Sequence, residues 1–313
     1  MKKQIFVQTP ILKSHKLKKE LNKNIYYKAE YFQPSGSFKI RGMEELCRHH
    51  IKEGKTNFIS SSGGNAGYSM AYVGKELGVN VKVIVPETTA QTMINKIKYL
   101  GTDVEVQGNV WDEAHKYALK LAEETNAVIV SPFDDPLLWK GHSTIIDECA
   151  NEIEQPDVVV VSVGGGGLLC GIFEGLKRNG WQNTLVITTE TKGAASFYKS
   201  YEAGKLIELD NIDSIATSLG ALKVTEQSLK YAEDFNVLPF KMSDKDAVNS
   251  SLIFLEEYNV LVEPACGAAL SVPYYHSELI KDAENVLVIV CGGVNTDIRK
   301  YLEISSTKNN FAS

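Results

Sequence analysis

Lys39 stands in the segment Pro34-Ser35-Gly36-Ser37-Phe38-Lys39-Ile40-Arg41-Gly42, an amine between an aromatic and an aliphatic neighbour just after a turn-rich stretch. A loop lysine is commonly a solvated charge. Held in an apolar pocket, its ammonium is destabilised, its pKa falls, and the free amine can form a Schiff base. The local residues leave both readings open. Further along, four successive glycines, Gly164, Gly165, Gly166 and Gly167, follow the apolar run 158–163 and lead into an apolar helix from Leu168. Such a loop lets the backbone approach an anion closely and turn N–H groups towards it. One or two glycines would suffice to turn a corner, and each added one costs folding entropy, so anion binding is the better account. A third segment, Ser60-Ser61-Ser62-Gly63-Gly64-Asn65-Ala66-Gly67, ends a strand and opens a helix. It reads equally as a carboxylate or phosphate seat at a helix N-terminus and as a cap formed by Ser62 or Asn65. A reactive lysine beside a phosphate seat suggests pyridoxal phosphate, whose phosphate needs N–H donors and whose aldehyde needs an amine.

Competing motifs fail on spacing. A dinucleotide GxGxxG starting at Gly165 needs glycine where Cys170 stands, and a phosphate loop ending at Gly54-Lys55-Thr56 needs glycine where His49 stands. No HExxH, CxxC or GxSxG occurs, and His49 and His50, adjacent on a helix, are expected to face different ways, so neither zinc nor a serine nucleophile is indicated. The five cysteines (Cys47, Cys149, Cys170, Cys266, Cys291) suit free thiols in a reducing, cytoplasmic setting better than a disulfide frame.

Holding these segments in place requires a large core, which 313 residues with 43% hydrophobic content can supply. Strands are expected at 58–60, 81–85, 104–106, 128–130, 158–163, 185–188 and 286–290. Several are continuous valine-rich runs of the kind covered on both faces. Amphipathic helices lie between them. Residues 65–77 carry Ala66, Met70, Val73 and Leu77 on one stripe, and residues 112–124 carry Ala114, Tyr117, Ala118, Leu121 and Ala122. This alternation predicts right-handed βαβ crossovers and a mainly parallel α/β architecture, with ligands at the strand ends. A net charge of −6 argues against a nucleic-acid partner. No run reaches the roughly 18 apolar residues of a membrane span, and the start lacks the apolar stretch of a secretory signal. The polar residues 305–313 read as a frayed end.

Six blocks, in order, resemble the fold-type II pyridoxal-phosphate enzymes, and among them the L-serine/L-threonine dehydratases of the serine dehydratase group. They are QPSGSFKIRG (33–42), SGGNAG (62–67), PFDDP (132–136), SVGGGGLLCG (162–171), VEPACGAA (262–269) and VCGG (290–293). The resemblance implies a tryptophan synthase β-like fold of two open, twisted, mainly parallel sheets flanked by helices. A small domain would span 40–133, and a large cofactor-binding domain would combine 1–39 with 134–313. It implies that Lys39 holds the cofactor and later takes the α-proton, with Phe38 against the pyridine ring and Gly164, Gly165, Gly166 and Gly167 around the phosphate. Asn65 would meet the ring oxygen and Cys291 the ring nitrogen, while Ser62, Gly63, Gly64 and Asn65 would seat the substrate carboxylate. Glu190, in TETKGAAS (189–196), reads locally as a helix N-terminal acid. The resemblance makes it a monovalent-cation ligand, for potassium, together with Ala194, Ser196 and Leu219. The implied activity is β-elimination from small hydroxy-amino acids by a cytoplasmic homodimer. Cysteine-synthase-type β-replacement, serine racemisation and a silent cofactor-binding protein are the alternatives. Two positions depart from the pattern: Gly63, where the liver-type enzyme has alanine and other relatives serine, and Ser218, where a small apolar residue is expected over the ring.

Overall fold

A computed structural model describes residues 3–306. Ten strands form two sheets. They are β1 (Ile11–Lys13), β2 (Asn24–Ala29), β3 (Asn57–Ser60), β4 (Asn80–Val85), β5 (Asp103–Val106), β6 (Val128–Val130), β7 (Val158–Ser162), β8 (Leu185–Thr191), β9 (Val237–Met242) and β10 (Asn285–Val290). The larger sheet runs β1-β2-β10-β7-β8-β9 and the smaller β5-β4-β3-β6. Every pairing is parallel except β1 with β2. β7 lies at the centre of the large sheet with all five residues buried, as a both-faces-covered Val-Val-Val-Val-Ser run must be.

All seven expected strands are present. β7 stops one residue sooner and β8 runs three residues further than their apolar runs suggest. β1, β2 and β9 were not anticipated. β9 contains Pro239, which reads against a strand; it is tolerated because β9 is an edge. β1 is only three residues long, and in β2 lysine and asparagine break the apolar run. Helices Asn65–Leu77 and Trp111–Thr125 bury Ala66, Met70 and Val73, and Ala114, Ala118 and Ala122, as their stripes require. Two expectations need correction. Residues 305 and 306 belong to the helix Ile298–Ser306 rather than to a frayed end; the rest of that stretch, 307–313, lies outside the described residues. His49 and His50 do not diverge, because both rings reach the Glu53 carboxylate, at 3.3 and 2.9 Å. No cluster of three or more metal-ligating side chains occurs among the described residues, and none of their helices is long and apolar enough to cross a membrane.

The helix Lys39–Lys52 packs against the helices Asn65–Leu77 and Pro136–Ala150, and the latter packs in turn on Gly167–Arg178. Its first turn is tied down by a buried ion cluster. Arg41 donates to both oxygens of Glu30, at 2.7 and 2.8 Å, and to both oxygens of Glu148, at 2.6 and 2.8 Å. Lys28 adds a 2.6 Å bond to Glu148. Burial alone would raise the Glu30 carboxyl, but the Arg41 guanidinium and the hydrogen bonds from Arg41 and Thr9 hold it below the ordinary range.

Candidate active site

The strand ends of both sheets open on one place. After β10, the chain at Cys291 to Gly293 lies against the Gly36–Phe38 turn. The Phe38 N–H donates to the Cys291 carbonyl at 3.1 Å, Gly293 N–H donates to the Gly36 carbonyl at 2.7 Å, and Ser37 pairs with Gly292. These bonds fix Lys39, the first residue of its helix, close to Cys291. The half-buried Lys39 Nζ donates to the Pro132 carbonyl at 2.5 Å and stands 5.1 Å from the centre of the Phe38 ring. Burial brings its amine down to about 8, the neighbouring Cys291 partly opposing that fall. The apolar-pocket reading of Lys39 is therefore the one the fold realises. Behind Phe38, the fully buried His142 ring meets it edge to face at 4.8 Å. Burial, with the charges of Lys39 and Arg41, holds His142 well below its ordinary value, so the imidazole is neutral.

The glycine loop follows β7. Ser162 donates towards the Cys291 sulfur at 3.8 Å, which places the loop's start beside the thiol. Gly166 has φ +91°, in the region glycine favours, and a Cβ there would meet Ser228 Oγ and Thr225 Cγ2 at 3.0 Å. A Cβ on Gly165 or Gly167 would run into Phe133, and one on Gly164 would meet the Ser218 carbonyl at 2.9 Å. The helix Gly167–Arg178 begins at this loop with no side chain capping its N-terminus. Backbone N–H groups, a dipole and no side chains form a cradle for a dianionic phosphate. Amine, cradle and the Cys291 thiol together fit pyridoxal phosphate in chemistry.

The helix Asn65–Leu77 is likewise uncapped: its N-cap is Gly64, and neither Ser62 nor Asn65 closes it. The Ser62 hydroxyl accepts only a long, 3.4 Å bond from Gly64 N–H. The capping reading of this segment therefore fails, and the N-terminus of its helix is left without a side-chain partner. Asn65 points across to the large sheet. Its Oδ1 accepts from Val294 N–H at 2.9 Å, and its Nδ2 donates to both oxygens of Glu263 at 3.1 Å and to Ser218 at 3.3 Å.

Glu263 went unassigned in the sequence, although its block was noted. It is a buried acid that also accepts from Ser218 Oγ and, at 2.8 Å, from Asn295 N–H. Burial raises its carboxyl, against the pull of those donors. The available signal was position: a glutamate directly before Pro264 at a helix start, making no side-chain cap, must send its carboxylate elsewhere.

Glu190, in β8, is buried, and its oxygens accept from the Phe197 and Tyr198 N–H groups at 2.9 and 2.6 Å. Burial raises it to about 8 despite those two bonds. Its local reading as a helix N-terminal acid is thus realised. Ala194 lies in the connection after β8 and Ser196 opens the helix Ser196–Ala203 that follows it, and the buried Ser196 hydroxyl has no partner. Leu219 closes the short turn Thr217–Leu219, which packs against Gly164.

A mainly parallel α/β frame in which a desolvated lysine and an uncapped glycine loop both lie beside Cys291 defines a class, and the sequence comparison agrees with it. The chain belongs to the pyridoxal-phosphate dependent enzymes, whose family model matches residues 3–292. It is 42% identical over 323 residues to an L-serine dehydratase of Dictyostelium discoideum, covering 97% of this chain and 92% of that one. It is 41% identical over 304 residues to the L-serine dehydratase/L-threonine deaminase of Homo sapiens, covering 94% and 93%. Among solved structures, a fungal L-serine ammonia-lyase from Rhizomucor miehei superposes with a TM-score of 0.90 at 34% identity, covering 96% of this chain and 98% of that one.

Because the Lys39 amine is held near 8, its neutral fraction grows through pH 8 rather than through 10.5. The rate at which ligand-free protein captures pyridoxal phosphate is expected to rise with pH with a midpoint near 8 and to level off about one unit above it. Rapid-mixing absorption spectroscopy follows the capture directly, and a midpoint near 10.5 would contradict the buried-amine account.

Proposed function

We propose that this chain is an L-serine/L-threonine ammonia-lyase. It would convert L-serine to pyruvate and ammonia, and L-threonine to 2-oxobutanoate and ammonia. The observation that carries the reading is that the Lys39 turn and the glycine loop meet at Cys291, and the glycine loop and the Ser62–Asn65 loop meet at Ser218, in a chain about 40% identical to enzymes named for these activities.

Pyridoxal phosphate, when bound, draws electrons from the bonds at the amino acid's α-carbon. Lys39 Nζ would hold the cofactor and, once displaced, accept the α-proton; a nitrogen brought to about 8 is a competent base near neutral pH. Phe38 and the 164–167 loop would hold the ring and phosphate. The N–H groups of Gly63 and Gly64, with the Ser62 hydroxyl, would hold the substrate carboxylate. Asn65 would present an N–H to the ring oxygen, kept in orientation by Val294 and Glu263. Cys291 would face the ring nitrogen; a thiol is a weak partner there, which suits an elimination whose departing hydroxyl takes up the electrons.

Residues 40–133 form the small domain in this reading. The four strands of the small sheet all come from that stretch, and all six strands of the large sheet come from outside it. A monovalent cation, potassium by the resemblance, would take Glu190, Ser196 and the carbonyls of Ala194 and Leu219. The buried, unpartnered Ser196 hydroxyl supports this site. A cytoplasmic setting is supported by five free, buried cysteines, and a homodimer follows from the resemblance alone.

Purified protein with pyridoxal phosphate is expected to release 2-oxo acid and ammonia in equal amounts from L-serine and L-threonine, faster with potassium than with choline at equal ionic strength. Cysteine formation from O-acetylserine and sulfide without 2-oxo acid would instead establish β-replacement, and D-serine as the sole product would establish racemisation.

A further inference from the structure

The loop that seats the substrate carboxylate is shaped by a residue outside every recognised block. Thr89 follows β4, in a turn where its N–H donates to the Pro86 carbonyl at 3.0 Å. Its half-buried side chain lies against Gly63. A Cβ built on Gly63 would stand 2.6 Å from Thr89 Cγ2, 3.0 Å from Thr89 Oγ1 and 3.1 Å from Val85 Cγ1. At the neighbouring Gly64 the nearest atom to such a Cβ is Ser62 Oγ, at 3.9 Å. Gly63 is not among the residues with positive φ, so no left-handed strain opposes a side chain there. Space is what opposes one.

Of the two neighbours, Val85 is buried at the end of β4, and its 3.1 Å contact would be relieved by a shift of a few tenths of an ångström. The Thr89 methyl is the obstacle. A methyl at 63 can be accommodated only if Thr89 moves or the loop moves away from it, and loop displacement would misplace the N–H groups of Gly63 and Gly64. Misplacing donors by even an ångström costs much of what orientation contributes to binding and rate.

We propose that Thr89 is a positioning residue for the substrate carboxylate: it occupies the space beside residue 63, so that the two positions set the seat as one unit. The proposal rests on the reading of the Ser62–Asn65 loop as that seat.

The test is a double-mutant cycle on cofactor-loaded protein, read by the change in cofactor absorption on titration with glycine, an amino acid with no β-hydroxyl to lose. Gly63→Ala is expected to weaken glycine binding at least about tenfold, with pyridoxal phosphate binding unchanged. Thr89→Ser, which removes the methyl and leaves the space beside Gly63 empty, is expected to weaken glycine binding about threefold, and binding as tight as wild type would overturn the positioning role. In Gly63→Ala/Thr89→Ser, glycine binding should return to within about threefold. Gly63→Ala binding glycine as wild type does, or a double variant as weak as Gly63→Ala, would overturn the proposal. Should Gly63→Ala not fold, Gly63→Ala/Thr89→Ala decides: near-wild-type glycine binding supports coupling, and a weak or unfolded double variant overturns it. Coupling in a protein that releases no 2-oxo acid from L-serine would sink the ammonia-lyase reading and leave this one standing. A wild-type protein with no response to glycine that still turns over L-serine would overturn this proposal alone, and one that does neither would overturn both.

Discussion

Lys39→Ala protein is expected to fold as wild type does and to release 2-oxo acid from L-serine at least about a thousandfold more slowly. Two functions fall on one nitrogen. In the proposed reading it supplies the amine that holds the cofactor aldehyde, and it would be the base for the α-proton once substrate takes its place. The fold has little stake in it. The side chain's bond to the Pro132 carbonyl ties down one acceptor, and Lys39 lies outside the Arg41 ion cluster that anchors its helix. Removing a desolvated amine also removes a burial cost, so the thermal midpoint should hold or rise slightly. Circular dichroism and a coupled 2-oxo acid assay on the same preparation separate the two effects. Turnover within tenfold of wild type would show that another group is the base.

The largest effect on stability is expected at Arg41. Arg41→Met keeps the volume and the buried stem but leaves Glu30 buried without its cation and Glu148 short of a bidentate partner. Breaking a buried pair by removing one member typically costs about 3–5 kcal/mol, because the remaining charge has neither water nor partner. The pH dependence follows from the depressed Glu30 carboxyl. A group held below its unfolded value contributes stability that is present above that value and lost as pH falls through the folded one. The wild-type advantage should therefore be full at neutral pH and shrink as the solution is acidified below the usual carboxylate range. Urea unfolding midpoints at pH 7 and pH 3 measure this. Equal midpoints for the two proteins at pH 7 would contradict it.

Much of the site was legible in the sequence because its parts are local. Lys39, the four glycines and the Ser62–Asn65 loop each carry their chemistry within a few residues of a strand end, and valine-rich strands announce a parallel sheet. What stayed hidden depends on pairing across long separations. Asn65 and Glu263 are 198 residues apart, and Arg41 and Glu148 are 107 apart. Neither separation leaves a pattern in one sequence. β9 hid behind Pro239, whose missing donor is harmless only on an edge, and edges are defined by the finished sheet. Thr89 gave no sign at all. Its proposed role is a distance to an absent Cβ, and Gly63 read as a carboxylate-loop residue that departs from a family pattern until the space beside it was known.

The central claim is that Lys39 carries pyridoxal phosphate. Reducing the lysine–cofactor bond of the loaded protein with borohydride, digesting it and mapping the peptides by mass spectrometry tests this most directly. A pyridoxyl-phosphate mass on the peptide containing Lys39, and its loss in Lys39→Ala, is the predicted result. A label on another lysine, or none on a protein that turns over L-serine, would contradict it.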